Sequence, residues 1–171
     1  HIYQYEFEGW IEDYSQITSN LKVYATFTER LRDYLVKFVG YNNDVTEILV
    51  EYGKSAEGKV PTPQRPGYRF LDWDKDISVI YEDTTVYALF APNQYQINFH
   101  HQNADNGYMP PIIATYEEQV TLPISNYEKR GYEFVGWEKE NGSGETAYLH
   151  DGATFTLKDE GADLYARWLP I

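Results

Sequence analysis

Two clusters in the sequence carry residue types from which chemistry is ordinarily built. His100-His101 sets two imidazoles side by side, the side chain that binds metals and moves protons near neutral pH. Asp72-Trp73-Asp74-Lys75-Asp76 places three carboxylates at alternate positions, as at the start of a calcium loop. Neither cluster completes a site. Neighbouring residues of a strand point to opposite faces, so the two histidines do not converge on one metal, and no cysteine or conventionally spaced histidine adds ligands. In the acidic run, Ile77 stands at the sixth position, where a calcium loop turns on glycine, and Asp83 stands at the twelfth in place of a bidentate glutamate. Both clusters read as solvent-facing turns or strand ends. No nucleophile elbow, phosphate loop or metalloprotease helix occurs. The sequence therefore predicts a protein that is not an enzyme, with no catalytic residue, no metal ligand and no cofactor.

The elements that hold these residues are forecast by composition. Aromatic residues make up 17% of the chain, with 17 Tyr, 8 Phe and 4 Trp. Tyrosine suits a half-wet pleated surface, because its ring packs while its hydroxyl reaches water. Sheet is favoured over helical bundle. The net charge of -13 repels phosphate backbones and anionic lipid, so nucleic-acid and membrane-surface partners are not expected. Without cysteine there are no disulfides and no thiolate chemistry. No run approaches the roughly 18 apolar residues of a membrane span, so no membrane insertion is expected, and no signal-peptide pattern occurs. The chain opens in mid-pattern, which reads as an internal fragment.

That pattern is a repeat. Tyr5-Glu6-Phe7-Glu8-Gly9-Trp10, Tyr68-Arg69-Phe70-Leu71-Asp72-Trp73 and Tyr132-Glu133-Phe134-Val135-Gly136-Trp137 lie 63 and 64 residues apart. Each alternates its aromatics until a one-residue offset before Trp. A second motif follows each: Leu21-Lys22-Val23-Tyr24-Ala25-Thr26-Phe27, Thr84-Thr85-Val86-Tyr87-Ala88-Leu89-Phe90 and Asp163-Leu164-Tyr165-Ala166-Arg167-Trp168. The two motifs are 19 residues apart in the first two copies and 33 in the third. The third copy thus carries a 14-residue insertion, placed around the turn-forming Asn141–Glu145 within 138–152. Two strands precede the aromatic motif in the complete copies, Leu35–Phe38 with Ile48–Gly53 and Tyr95–Phe99 with Ile113–Tyr116. A Pro-containing connector comes next, read as an extended crossover or a short helical turn, with Gly67 and Gly131 as tight turns into the next strand. The expected boundaries are 1–30 for the C-terminal half of a first copy, 33–92 for a second and 95–169 for a third. Residues 28–32 and 91–94 are read as linkers.

These motifs resemble the internalin-B-type B-repeat, or Listeria–Bacteroides repeat, of bacterial cell-surface proteins. Val50-Glu51-Tyr52-Gly53, Gly67-Tyr68-Arg69-Phe70 with Trp73, Val86-Tyr87-Ala88, Gly131-Tyr132-Glu133-Phe134-Val135-Gly136-Trp137 and Leu164-Tyr165-Ala166-Arg167-Trp168 carry the likeness, which covers nearly the whole chain. Asp72 replaces the usual Gly, Phe27 and Phe90 replace the closing Trp, and Tyr116 lacks its following Gly. The resemblance implies a mostly β fold (α+β at most) of tandem small β-grasp-like, ubiquitin-like repeats. It implies a secreted or cell-surface setting, extracellular and near the cell wall, and a repeat stalk or structural spacer that presents another domain. The alternative is an adhesin-like module that binds a glycan or a host or bacterial surface protein. Neighbouring repeats of the same chain are further expected partners.

A unit of roughly 60 residues buries only about 60% of its unfolded surface, so large aromatics must supply the core. Phe7, Trp10, Phe27, Phe38, Phe70, Trp73, Phe90, Phe99, Phe134, Trp137 and Trp168 hold fixed places in the copies and are the expected repeat core. Tyr14, Tyr41, Tyr81, Tyr108 and Tyr148 fall outside the shared pattern and are the candidate ligand contacts. Two strands alone are marginal, so residues 1–30 are expected to dock on the second copy or borrow strands from it.

Overall fold

The computed structural model describes residues 2–140 and 146–171. Strand accounts for 52% of the described residues and no α-helix occurs among them, so the fold is mostly β. The chain divides into two compact units, residues 1–63 with 71–89 and residues 64–70 with 90–171.

The first unit opens with an antiparallel hairpin, β1 (Tyr3–Trp10) and β2 (Ala25–Leu31), which forms a two-stranded sheet of its own. β3 (Asp33–Val39) and β4 (Val45–Glu51) follow, then β5 (Tyr68–Trp73) and β6 (Thr84–Pro92), in the sheet order β4-β3-β6-β5. The unit boundary passes through β5 and β6. Alternation builds β3: Val36 and Phe38 are buried, while Lys37 faces outward and pairs at 2.8 Å with Glu47, its register partner on β4. The β3–β4 turn places Asn42 and Asn43 at φ 56° and 58°, a conformation asparagine tolerates better than most residues. β3 and β6 run parallel, Val36–Val39 beside Thr84–Tyr87. Val36, Phe38, Val50, Ala56, Ile77, Ile80 and Val86 form the core.

In the second unit, β7 (Gln94–His100), β8 (Ile112–Thr115), β10 (Tyr132–Glu140), β11 (Thr146–Leu149) and β13 (Ala162–Pro170) form a sheet in the order β11-β10-β13-β7-β8. β9 (Gln119–Thr121) and β12 (Thr154–Thr156) pair separately. Here too the central pair is parallel, Ile97–His100 beside Ala162–Tyr165. Ile97, Phe99, Leu122, Trp137, Leu157 and Leu164 anchor the core.

The one-residue offset before Trp is a β-bulge. Phe134 pairs with Trp168 and Gly136 with Arg167, leaving Val135 as the extra residue. Gly136 has φ 129°, and a Cβ there would lie 2.4 Å from the Leu149 carbonyl oxygen. The first hairpin shifts in the same place, between Phe7 and Gly9. Gly67 and Gly131 have φ 76°, in keeping with tight turns into the following strands.

Several expectations are corrected. Phe7, Trp10 and Phe27 are not core: they are 54%, 48% and 56% exposed, on a sheet in which β1 and β2 pair only with each other among the described residues. Phe7 packs on Trp10 and on Phe27, at centroid distances of 5.5 and 5.7 Å. Phe38, Phe99 and Trp137 are buried, whereas Phe70, Trp73, Phe90, Phe134 and Trp168 are half-buried. The linkers shrink to single residues, Arg32 between β2 and β3 and Asn93 between β6 and β7, because the strands run through the residues read as connectors. The motif at Leu21–Phe27 is strand only from Ala25 onward. Asn141–Glu145 lies outside the described residues. The rest of the insertion supplies β11, which pairs with β10.

Each single-residue joint is held through its backbone. The Arg32 N–H donates to the Ile2 carbonyl at 2.8 Å, and the Arg32 carbonyl accepts from the Tyr52 N–H at 2.8 Å. In the second unit, the Asn93 N–H donates to Gly67 at 2.8 Å and its carbonyl accepts from Tyr116 at 2.9 Å. Ile171, three residues after Trp168 as Asn93 is after Phe90, donates to Gly131 at 3.0 Å.

Candidate functional site

The acidic run after β5 serves the turn that leads to β6. The Asp74 carboxylate accepts from the Tyr87 N–H at 2.7 Å, and Asp76 accepts from the Ser78 N–H at 2.8 Å. Asp72 accepts from the Trp73 N–H at 2.8 Å. The Ser78 hydrogen bonds hold the Asp76 carboxyl below its usual range. Each carboxylate is aimed at a nearby backbone donor, and among the described residues no group of three or more His, Asp or Glu is disposed to hold a metal.

The adjacent histidines have separate surroundings. His100 Nε2 lies 2.7 Å from Asp163 Oδ1, and its ring stacks on Tyr165 at 4.6 Å. His101 lies against Tyr127 at 6.0 Å, and its carbonyl accepts from Trp168 Nε1 at 3.2 Å. The His100 hydrogen bond holds the Asp163 carboxyl below its usual range, with burial opposing it and Asn98 assisting.

Tyr14, Tyr41, Tyr81, Tyr108 and Tyr148 are all exposed. They sit on different segments: Tyr14 between β1 and β2, Tyr41 in a 3-10 turn after β3, Tyr81 between β5 and β6, Tyr108 between β7 and β8, and Tyr148 on β11. Tyr81 packs on Tyr52 at 5.1 Å, and the Arg167 guanidinium lies 4.7 Å from the centre of the Tyr148 ring. Tyr108 is fixed through its backbone, which Asn126 brackets with bonds of 3.0 and 2.9 Å.

Two grooves open on the second unit. One, of about 370 Å³, is lined by Gln96, Asn98, Glu140, Asp159, Glu160, Gly161, Ala162 and Asp163 and is acidic. The other, of about 360 Å³, brings Tyr132, Phe134 and Trp168 together with Asp105, Asn106, Glu128, Lys129 and Arg130. Lys129 Nζ stands 4.6 Å from the Tyr132 ring centre and 5.8 Å from that of Trp168. The Asp105 carboxylate is anchored by the Arg130 N–H at 2.6 Å. Aromatic faces ringed by planar polar groups can stack on a sugar while bonding its hydroxyls. Sequence reasoning weighed sugar stacking for the repeat tryptophans but favoured core for Phe134 and Trp168, and so did not foresee this groove. The Lys129-Arg130 pair beside Tyr132 was the available signal.

The sequence model of the Listeria-Bacteroides repeat domain matches residues 34–89 and 95–167, and the chain belongs to that family. It is 30% identical over 175 aligned positions to a protein of Evansella cellulosilytica described as "Putative membrane protein", covering 94% of this chain and 26% of that protein. It is 28% identical to a "Putative Gly-rich membrane protein" of the same organism, covering 19% of it. The chain thus spans about a quarter or less of the relatives it matches. No solved structure matches it significantly. No helix among the described residues is long and apolar enough to cross a membrane.

Proposed function

We propose that the chain is a non-enzymatic spacer segment of a bacterial cell-envelope protein, built of tandem β-grasp-like repeats and presenting another domain away from the cell wall on the extracellular side. Residues 33–92 and 95–169 are the two complete repeats in this reading, and 1–30 the closing half of another. The observation that carries it is the joint: both family-matched stretches enter their first strand through a single residue held by backbone hydrogen bonds on both sides. Such a joint suits a structural array in which stability is the sum of repeats and their neighbours. The relatives' descriptions as membrane proteins support an envelope setting.

The second reading is a recognition module, favoured by the Tyr132–Trp168 groove. Titrating the labelled chain against a glycan panel and host cells separates the two. The spacer reading expects no saturable binding at micromolar concentration from a folded, monomeric sample. Saturable binding that is lost on Tyr132→Ala overturns it in favour of the groove.

A further inference from the structure

The two joints share a backbone plan and differ in their side chains. At Arg32 the N–H bonds to Ile2 and the carbonyl to Tyr52; at Asn93 the same groups bond to Gly67 and Tyr116. The counterpart of Ile2-Tyr3 at the second joint is therefore Gly67-Tyr68, and that of Tyr52-Gly53 is Tyr116-Glu117. The Tyr52 ring packs on Tyr34 at 6.3 Å and on Tyr81 at 5.1 Å, all three within the family-matched stretch 34–89. Tyr116 keeps the corresponding contact with Tyr95, at 6.2 Å. Its other neighbour is Tyr68, at 5.7 Å, a residue of the preceding matched stretch.

Two features set the contact at Asn93 apart. Gly67 is buried, and a Cβ on it would lie 2.3 Å from the Tyr116 ring, so the ring fills the space of a side chain. Gly131, at the same φ of 76°, has nothing within 4 Å. The other feature is Glu117, which holds φ 62°, a conformation costly to a residue with a Cβ. Its counterpart Gly53 takes φ 76° without that cost. Such strain persists where the surroundings hold it. Here the Glu117 carboxylate accepts a hydrogen bond from the Tyr68 hydroxyl, and the Arg65 guanidinium lies 3.5 Å from the centre of the Tyr68 ring.

We infer that Tyr116 and Glu117 form a side-chain key by which residues 95–169 select the repeat they follow. The key fits a strand entry that offers glycine and then tyrosine, and rejects one with a branched residue in the place of the glycine. Gly67-Tyr68 is an entry of the first kind and Ile2-Tyr3 of the second. Tyr52-Gly53 has no carboxylate to offer and turns its ring to Tyr81, so it makes no such demand on the entry before it. The repeats are then not equivalent at their seams, and part of their order is written in four residues. The inference rests on the repeat reading above, but its test reads exchange within the chain and not ligand binding, so the two fail separately.

The test is residue-resolved amide exchange in the full chain, read at the Asn93 and Tyr116 N–H groups that close the joint. Gly67→Ala strains the backbone whatever lies beside it, so it is made both in the native chain and in a Tyr116→Ala background. Exchange is expected to quicken about tenfold more in the first than in the second. Equal effects in the two backgrounds overturn the inference, because the ring then makes no demand on the glycine. Glu117→Gly is the second arm: it relieves the strained φ on an exposed turn and leaves the cores untouched. The key predicts exchange faster by about threefold or more, with no further effect once Tyr68→Phe has removed the hydroxyl. Exchange that is slowed or unchanged in Glu117→Gly overturns the inference by making Glu117 an ordinary turn residue.

Discussion

Trp137 and Trp10 hold the same place in their motifs and differ in everything that sets their energetic weight. Trp137 is enclosed by Phe99, Tyr127 and Phe134, and its indole N–H has no hydrogen-bond partner among the described residues. Replacing it by Ala leaves a cavity and is expected to cost about 3–5 kcal/mol. Trp10→Ala, at a half-exposed position, is expected to cost under about 1 kcal/mol. Urea unfolding followed by circular dichroism checks both. Gly136 is a second sensitive point: Ala there meets the Leu149 carbonyl at a positive φ, so Gly136→Ala should destabilise by more than about 1 kcal/mol in the same assay. The weight of such residues was only partly legible. Recurrence marks which aromatics share a role, yet the motif around Trp10 reads like the motif around Trp137. Whether a strand covers the ring depends on residues some distance away in the chain.

At the scale of elements, the parallel pair β7–β13 is reinforced on its outer face by the contact of His100 and Asn98 with Asp163. The Asp163 carboxyl is held below its ordinary value, chiefly by the His100 hydrogen bond. The unfolded chain therefore binds a proton more readily there, so this contribution is present above the ordinary carboxylate pKa of about 3.9 and is lost as pH falls through the lower folded value. Asp163→Asn should flatten the fall in unfolding free energy below about pH 4, measured by urea titration across the acid range. The bulge was readable as an offset in aromatic spacing, because side-chain periodicity records an extra residue directly. The joints were not. Arg32 and Asn93 act at the joints mainly through an N–H and a carbonyl that every non-proline residue owns, so 28–32 and 91–94 looked like connectors. Asn93→Ala, which removes only the 3.2 Å bond from the side-chain amide to the Tyr95 hydroxyl, should cost about 1 kcal/mol or less, while Asn93→Pro also removes the donor to Gly67 and should lower stability by about 1–3 kcal/mol in the same urea assay.

For the whole molecule, the dominant quantity is charge. A net -13 over 171 residues opposes compaction by self-repulsion. The melting temperature should rise between low salt and about 0.15 M NaCl as that repulsion is screened, which calorimetry at two salt concentrations tests. A melting temperature that falls would point to the surface ion pairs, such as Lys37–Glu47 and Arg167–Glu138, as the larger contribution. The family was legible because its motifs recur over nearly the full chain. The aromatic groove was not, since Phe134 and Trp168 each divide their surface between packing and solvent, and sequence gives no such fraction.

The joints also bear on how such a chain changes over generations. Arginine and asparagine stand at the joints Arg32 and Asn93, each with its N–H given to a carbonyl at the entry of the preceding hairpin. A seam held mainly by backbone groups requires few matched mutations on its two sides. Arg32 and Asn93 lie 61 residues apart, and unequal crossing-over between gene segments cut at these two joints would rejoin them without creating a backbone clash. The number of segments then becomes a heritable variable, and in the spacer reading proposed above length would be selected one increment at a time.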